Sequence, residues 1–294
     1  MTYRVTHRTT YKYSEPVSLC HNVLRLTPRC TDRQTCLWSD LQVTPTPAVL
    51  SRSVDYFGNP TIFFTVQDRH KQLTITMTSE AVVRPDQAFL AGTTLPWDMV
   101  PAYLKNNRDP EVLDAYQYTF DSSYIPANQK LAEYASPSFP PGRPLLEGAL
   151  DLTARIHHDF RYDNQATNVA TPILEVLESR HGVCQDFAHL QIGCLRSLGL
   201  AARYVSGYLQ TQPPPGKPRL IGADASHAWL SIYLPGLGWI DLDPTNNQIP
   251  STSHITVAWG RDYDDVSPIK GVILGGGRQL IQVAVNVIPL EELH

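Results

Sequence analysis

The hydrophobic period changes once along this chain, and that change restricts what it can fold into. Val5, His7, Thr9, Tyr11 and Tyr13 alternate with Arg4, Thr6, Arg8, Thr10 and Lys12, a period of two in residues that favour extended backbone. Similar patterns recur over Val23–Leu26, Leu37–Val43, Thr61–Val66 and Leu73–Val83, and Asp55-Tyr-Phe-Gly-Asn-Pro60 supplies a turn between two of them. Residues 1–84 therefore read as an antiparallel, β-sandwich-like or barrel domain.

From Leu145 the spacing becomes helical, with Leu146, Ala149, Leu150, Thr153, Ile156 and His157 on one stripe. A second helix is predicted to open at Thr171-Pro172 and to end near Gly182. A third carries Phe187, Gln191, Cys194, Leu195 and Leu198 and closes at Gly199. Strands are expected over Ala202–Leu209, His227–Leu234, Trp239–Asp243, Ile269–Leu274 and Leu280–Val287. Residues 85–144 hold frequent prolines, among them Pro137-Ser-Phe-Pro-Pro-Gly-Arg-Pro144. They form a linker with short helices, and 145–294 forms a mixed helix and sheet core with C-terminal strands. The fold class is α+β.

Composition narrows the function. The 294 residues are 42% hydrophobic and 18% charged with a formal charge of −4, values typical of a water-soluble globular chain. No basic run interleaved with aromatics calls for nucleic acid, and no apolar stretch is long enough to span a bilayer. Met1-Thr-Tyr-Arg-Val-Thr-His lacks the apolar core of a signal peptide, so a cytoplasmic location is expected. Cys20, Cys30, Cys36, Cys184 and Cys194 are odd in number and scattered, which points to reduced thiols rather than a disulfide framework.

Among them Cys184 stands out. It lies in Arg180-His-Gly-Val-Cys-Gln-Asp-Phe-Ala188, after a glycine and at a predicted helix start. Unsatisfied N–H groups and the positive end of the helix dipole stabilise negative charge on a sulfur there, and could stabilise an oxyanion. A thiolate nucleophile needs a base, and the base an orienting partner. His227 begins Ser226-His-Ala-Trp-Leu-Ser-Ile-Tyr-Leu234, and Pro235-Gly-Leu-Gly238 can turn the chain back into Trp239-Ile-Asp-Leu-Asp-Pro-Thr245. The hairpin brings His227 opposite the region from Asp243 to Asn246. Asp241 shares Asp243's face by parity; Asp243 is nearer the end where His227 sits, which favours it.

Three segments, Gly-Val-Cys184-Gln-Asp-Phe-Ala, His227-Ala-Trp and Trp239-Ile-Asp-Leu-Asp243-Pro-Thr, resemble the three motifs of the transglutaminase-like core. The likeness is greatest to bacterial transglutaminase-like enzymes classed as cysteine proteases. It extends through Ile156-His-His-Asp-Phe-Arg-Tyr162 and Val257-Ala-Trp-Gly-Arg-Asp-Tyr-Asp-Asp-Val-Ser-Pro268, and the N-terminal part resembles the extra β-rich region such proteins carry. The resemblance implies a papain-like core with Cys184 as nucleophile, His227 as general base and acid, and Asp243 as orienter. It also offers Tyr162 as a counterpart of the aromatic residue that assists the oxyanion in animal transglutaminases, beside the Cys184 N–H.

Other signals carry less. Cys20-His21, Cys30 and Cys36 lack the paired spacing of a zinc cluster. His157 and His158 point about 100° apart on a helix. His181 and His189 read as structural. Leu274-Gly-Gly-Gly-Arg278 lacks the lysine and hydroxyl of a phosphate loop. Asp262, Asp264 and Asp265 lack calcium-loop spacing. Pro213-Pro-Pro-Gly-Lys-Pro218 reads as an exposed connection before His227. No cofactor and no metal are expected. The leading expectation is cysteine-dependent hydrolysis of a peptide or isopeptide amide in a protein or peptide substrate. Protein-glutamine acyl transfer is the alternative, and a non-catalytic peptide-binding module is the third reading.

Overall fold

A computed structural model describes residues 1–85, 91–165, 167, 170–211 and 225–292; the Pro213–Pro218 connection lies outside them. In chain order the N-terminal strands are β1 (Thr2–Leu24), β2 (Gln34–Thr44), β3 (Val49–Val54), β4 (Pro60–Val66) and β5 (His70–Val83). Helices α1 (Val100–Asn106), α2 (Pro110–Tyr116), α3 (Gln129–Ala135) and α4 (Leu145–Asp159) follow. Next come β6 (Arg161–Tyr162), α5 (Ile173–Ser179), β7 (His181–Gly182) and α6 (Cys184–Ser197). The remainder is β8 (Ala202–Leu209), β9 (Ala225–Leu234), β10 (Gly238–Leu242), β11 (His254–Gly260), α7 (Tyr263–Val266), β12 (Ile269–Gly275) and β13 (Gln279–Pro289).

The N-terminal region is one seven-stranded antiparallel sheet curled into a half-barrel, with β1 as its spine. The first half of β1 lies between β5 and β13, and the second half between β4 and β12. The change of partner falls at Ser14–Pro16, where proline has no N–H to donate to a ladder. Buried positions on β1 run through Tyr3, Val5, His7 and Thr9 to Tyr13 and Val17, then switch parity to Cys20, Asn22 and Leu24. That switch coincides with a register shift between Val17 and Leu19, because an extra residue moves every later side chain to the other face. Sequence spacing grouped the last strands with the catalytic core; their partner is β1 instead. Three successive glycines turn β12 into β13, and Gly275, Gly276 and Gly277 all have φ between 59° and 93°, a region that side chains with a Cβ avoid.

The second sheet, of order β10-β9-β8-β11, is packed on by α6. Helix spacing put the apolar face of α6 inward, and the structure buries nearly its whole length, including Phe187, Leu190, Gln191, Cys194 and Leu195. The main core joins Phe187, Leu190, Cys194 and Leu195 to Leu145, Leu152 and Ile156 of α4, to Leu230 and Ile232 of β9, and to Tyr3, Val5, Val285 and Val287 of the first sheet. A second core, with Leu24, Phe64, Leu73 and Met77, fills the curl of the half-barrel. The chain from 85 to 144 is more than a connector: Leu104, Tyr118, Ile125 and Leu131 are all within the main core.

β11 is the outer strand of the second sheet, and two side-chain amides from the first sheet's side occupy its free edge. Gln34 accepts from the Thr256 N–H (2.8 Å) and donates to the Thr256 carbonyl (2.7 Å). Asn59 does the same at Trp259, with both distances 2.9 Å. Each amide thus reproduces the hydrogen bonds a neighbouring strand would make. Arg29 and Arg203 stack on the indole of Trp259, their guanidinium carbons 3.5 and 3.8 Å from its ring centre. Replacing Asn59 by alanine strands the part-buried Trp259 N–H and carbonyl; replacing Gln34 strands the Thr256 N–H, while the Thr256 carbonyl keeps the Arg29 N–H. Each should lower the free energy of unfolding by roughly 1–3 kcal/mol, measured by urea denaturation with the slope unchanged.

Candidate active site

Cys184 is the first residue of α6, half-buried against the main core. The N–H groups of the first turn have no partner within the helix, and they face the end where the sulfur sits. Asp186 organises this terminus by accepting from the Val183 N–H at 2.8 Å, while Thr167 donates to the same oxygen at 2.6 Å. Burial raises the Asp186 pKa, and these two donors act against that.

Sequence spacing gave Gly182 the role of ending the preceding helix. The structure corrects that: α5 stops at Ser179, and Arg180 takes the left-handed conformation at φ 59°. Gly182 serves by its lack of a side chain, since a Cβ there would lie 2.8 Å from the Asp186 carboxylate. The helix also opens at Ile173, with Pro172 as its cap residue, slightly later than Thr171-Pro172 implies.

The hairpin of β9 and β10 pairs Leu242 with Leu230 and Asp241 with Ser231. Strand pairing stops there, and Asp243 opens a turn closed by mutual backbone bonds with Gln248. Pro244 has no N–H, so the next two N–H groups, of Thr245 and Asn246, reach back to Asp243 Oδ1 at 3.0 and 3.2 Å. The Thr245 carbonyl accepts from His157 Nδ1 of α4 at 2.9 Å, which ties the turn to the helical layer. His157 is therefore a structural tether.

His227 Nε2 lies 2.8 Å from Asp243 Oδ2. A carboxylate only accepts, so Nε2 carries the proton and Nδ1 is left for the sulfur; Cys184 lies close enough to His227 to help raise its pKa. The three side chains singled out in the sequence are thus brought together. Asp241, equal to Asp243 by parity, is occupied elsewhere: Trp229 Nε1 donates to it at 3.1 Å, and Ser231 Oγ also bonds it. The structure adds a residue that sequence spacing missed. His254 Nε2 lies 3.1 Å from Asp243 Oδ2, and Asn246 Nδ2 donates to the same oxygen at 2.7 Å. The signal was available in the alternation of His254-Ile-Thr-Val-Ala-Trp259, which marks a strand.

Electrostatics follow from this packing. Burial by itself lowers the His227 pKa, but the hydrogen bonds and charges of Asp243 and Cys184 outweigh it and push it up to about 10. Burial opposes ionisation of Asp243 too, yet donation from His227, His254 and Asn246, with the His227 charge, holds it well below the ordinary carboxylate range. His227, Asp243 and His254 place their ligand-type atoms within 4.8 Å of one another, the one such group among the described residues. Their pattern is that of an acceptor ringed by donors: the Asn246 amide already points at the oxygen a cation would need.

The other flagged residues fall outside this cluster. His189 is wholly buried on α6, accepts from the Tyr263 N–H at 3.1 Å, and is kept neutral by burial, which pushes its pKa down to about 3. His181 Nδ1 bonds the Ser179 carbonyl. Cys20 is buried in the half-barrel core while Cys30 is exposed. Asp262 caps α7, and Asp264 and Asp265 pair with Lys270 and Arg261. Tyr162, 56% exposed, stands at the rim, its ring edge-on to Phe187. Its phenol pKa is raised by partial burial, then by the charges of Cys184 and Asp186, so it remains a protonated donor.

Comparison with known proteins gives a consistent picture. Residues 3–82 match the bacterial transglutaminase-like N-terminal region, and residues 133–244 match the transglutaminase-like superfamily. An uncharacterized protein of Mycobacterium tuberculosis (strain ATCC 25618 / H37Rv) is 45% identical over 298 residues, covering 98% of this chain and 93% of its own. The crystal structure of a proposed cysteine protease from Cytophaga hutchinsonii superposes with a TM-score of 0.75 at 22% identity, over 98% of this chain and 91% of that one. A protein-glutamine gamma-glutamyltransferase of Pseudomonas aeruginosa is 33% identical over 76 residues, 26% of this chain and 11% of that protein.

The pKa directions set a stability profile. The folded His227 lies above its ordinary value of 6.5, so its contribution is complete below that pH and is lost as pH climbs toward about 10. Asp243 works in the opposite sense, contributing above its ordinary value of 3.8 and losing that contribution as acid is added. Denaturation curves should show the wild type losing stability between about pH 6.5 and 10 relative to His227→Gln; parallel curves would contradict the coupling.

Proposed function

The chain belongs to the bacterial transglutaminase-like family, and on that premise we propose that it is a cysteine-dependent hydrolase of peptide or isopeptide amides. The observation that carries this reading is the chain of contacts from Cys184 through His227 to a buried Asp243. A sulfur at a helix start, an imidazole close to it and a carboxylate fixing the tautomer are the parts that thiol acyl chemistry requires.

In the proposed reaction Cys184 Sγ attacks the substrate carbonyl carbon, forming a C–S bond and an oxyanion. The Cys184 N–H faces that oxyanion, with the Tyr162 hydroxyl as a second donor from the rim. His227 Nδ1–H passes its proton to the departing nitrogen as the C–N bond breaks, leaving a thioester. Neutral His227 then takes a proton from water, whose oxygen displaces the sulfur and releases the carboxylic acid. Asp243 keeps Nε2 protonated throughout and stabilises the imidazolium in the first half-reaction.

Acyl transfer is the second reading, favoured by the segment shared with the Pseudomonas glutamyltransferase. There an amine replaces water in the last step. Release of ammonia or peptide without incorporation of a labelled primary amine would support hydrolysis; stoichiometric incorporation would replace it with transfer.

Iodoacetamide tests the pairing without a known substrate. Near neutral pH Cys184 should be alkylated well ahead of Cys194, whose buried thiol is pushed up to about 12, and ahead of exposed Cys30. The advantage should vanish in His227→Ala, and the signal in Cys184→Ala. Asp243→Asn should slow turnover by about 10²–10⁴-fold. Alkylation of Cys184 no faster than that of Cys30 would refute the reading.

A further inference from the structure

The Asp243 carboxylate receives five hydrogen bonds, and their origins differ. Thr245 and Asn246 belong to the same turn as Asp243 and move with it. His227 is the group that exchanges protons. His227 aside, His254 is the one of these donors that comes from outside the turn, on β11, so it supplies a reference independent of both the turn and the reacting imidazole. It lies outside both matched stretches, 3–82 and 133–244.

Several contacts lock His254 in place. Its side chain is 2% exposed. The Trp229 ring packs edge-on against it at 5.2 Å between centres, and Ser253 Oγ lies 3.3 Å from Nδ1. Since Asp243 accepts only, Nε2 carries the hydrogen in that contact. The strand behind it is equally fixed, because Gln34 and Asn59 hold the outer edge of β11 at Thr256 and Trp259. Other titratable or charged groups around the pair are His227 on β9, Cys184 on α6, Asp241 on β10 and His157 on α4. Arg33, before β2, reaches the Pro250 carbonyl.

We propose that His254 is a positioning residue for the reaction at Cys184, its Nε2–H holding Asp243 in the orientation in which Oδ2 meets His227. The role rests on the Cys184–His227–Asp243 reading above and deepens it. It also assigns a task to the N-terminal sheet, which steadies the strand from which His254 reaches the carboxylate. Without that donor the carboxylate keeps its bonds from the turn and from His227 but loses its hold from β11, and its grip on the His227 proton weakens.

The test compares His254→Gln, whose amide nitrogen replaces Nε2–H, with His254→Leu, which has no donor. The readout is the rate of Cys184 alkylation by iodoacetamide across pH, alongside thermal unfolding. In folded His254→Leu the rate at neutral pH should fall at least about tenfold. The alkaline limb should move toward neutral by about one pH unit, because a His227 less well paired loses its proton sooner. His254→Gln should return both to within about threefold of wild type. A purely structural role would shift the melting temperature and leave the limb where it was. If His254→Leu does not fold, His254→Asn serves, since its shorter amide falls short of Oδ2; equal profiles for the Asn and Gln variants would overturn the proposal, as would a folded Leu variant with the wild-type profile. Wild-type Cys184 indifferent to His227→Ala would overturn the underlying triad, a result distinct from failure of His254 alone.

Discussion

A single buried negative charge organises this molecule. Asp243 is fully buried, and a carboxylate removed from water is tolerated only when donors replace its hydration. The donors come from β9, from β11 and from the turn after β10. Sheet order, hairpin register and the Asp-Pro-Thr turn all have to be right for them to converge. Helix α6 then needs only to present its first residue to the far side of the imidazole.

The two halves of the protein share more than a boundary. Tyr3, Val5, Val285 and Val287 of the first sheet lie in the same core as the helices. Side-chain amides from the first sheet complete the second sheet's edge, and Arg29 reaches across to the Trp259 indole that Arg203 also covers. An exposed strand edge invites pairing with another chain; here the amides of Gln34 and Asn59 occupy it. The N-terminal sheet is thus part of the scaffold that places Cys184, His227 and Asp243.

Much of this was legible in the sequence where local rules decide. The strand Ala202–Leu209 was read to the residue, and Leu145, Cys184 and Ile269 open elements as their spacing implies. Strand β3 escaped notice because all its residues are exposed, so no apolar alternation marks it. Parity left Asp241 and Asp243 equal, and nearness to the His227 end of the hairpin favoured Asp243; the structure shows why Asp241 is not available, since Trp229 and Ser231 bind it. His254 depends on β11 lying beside β8, a pairing between segments about fifty residues apart that no local pattern encodes. The same limit applied to β12 and β13, whose strand character was plain and whose partner was not.

The pairing of β1 with β13 sets Tyr3 beside Pro289. During synthesis the first strand leaves the ribosome before either neighbour exists, and β13 follows only after every other strand of the sheet has been translated. Contacts so remote in sequence close slowly, since the intervening loop must lose its freedom before they form. Until then the nascent half-barrel presents an open flank, and the seam between β1 and β13 is the last part of the sheet able to form.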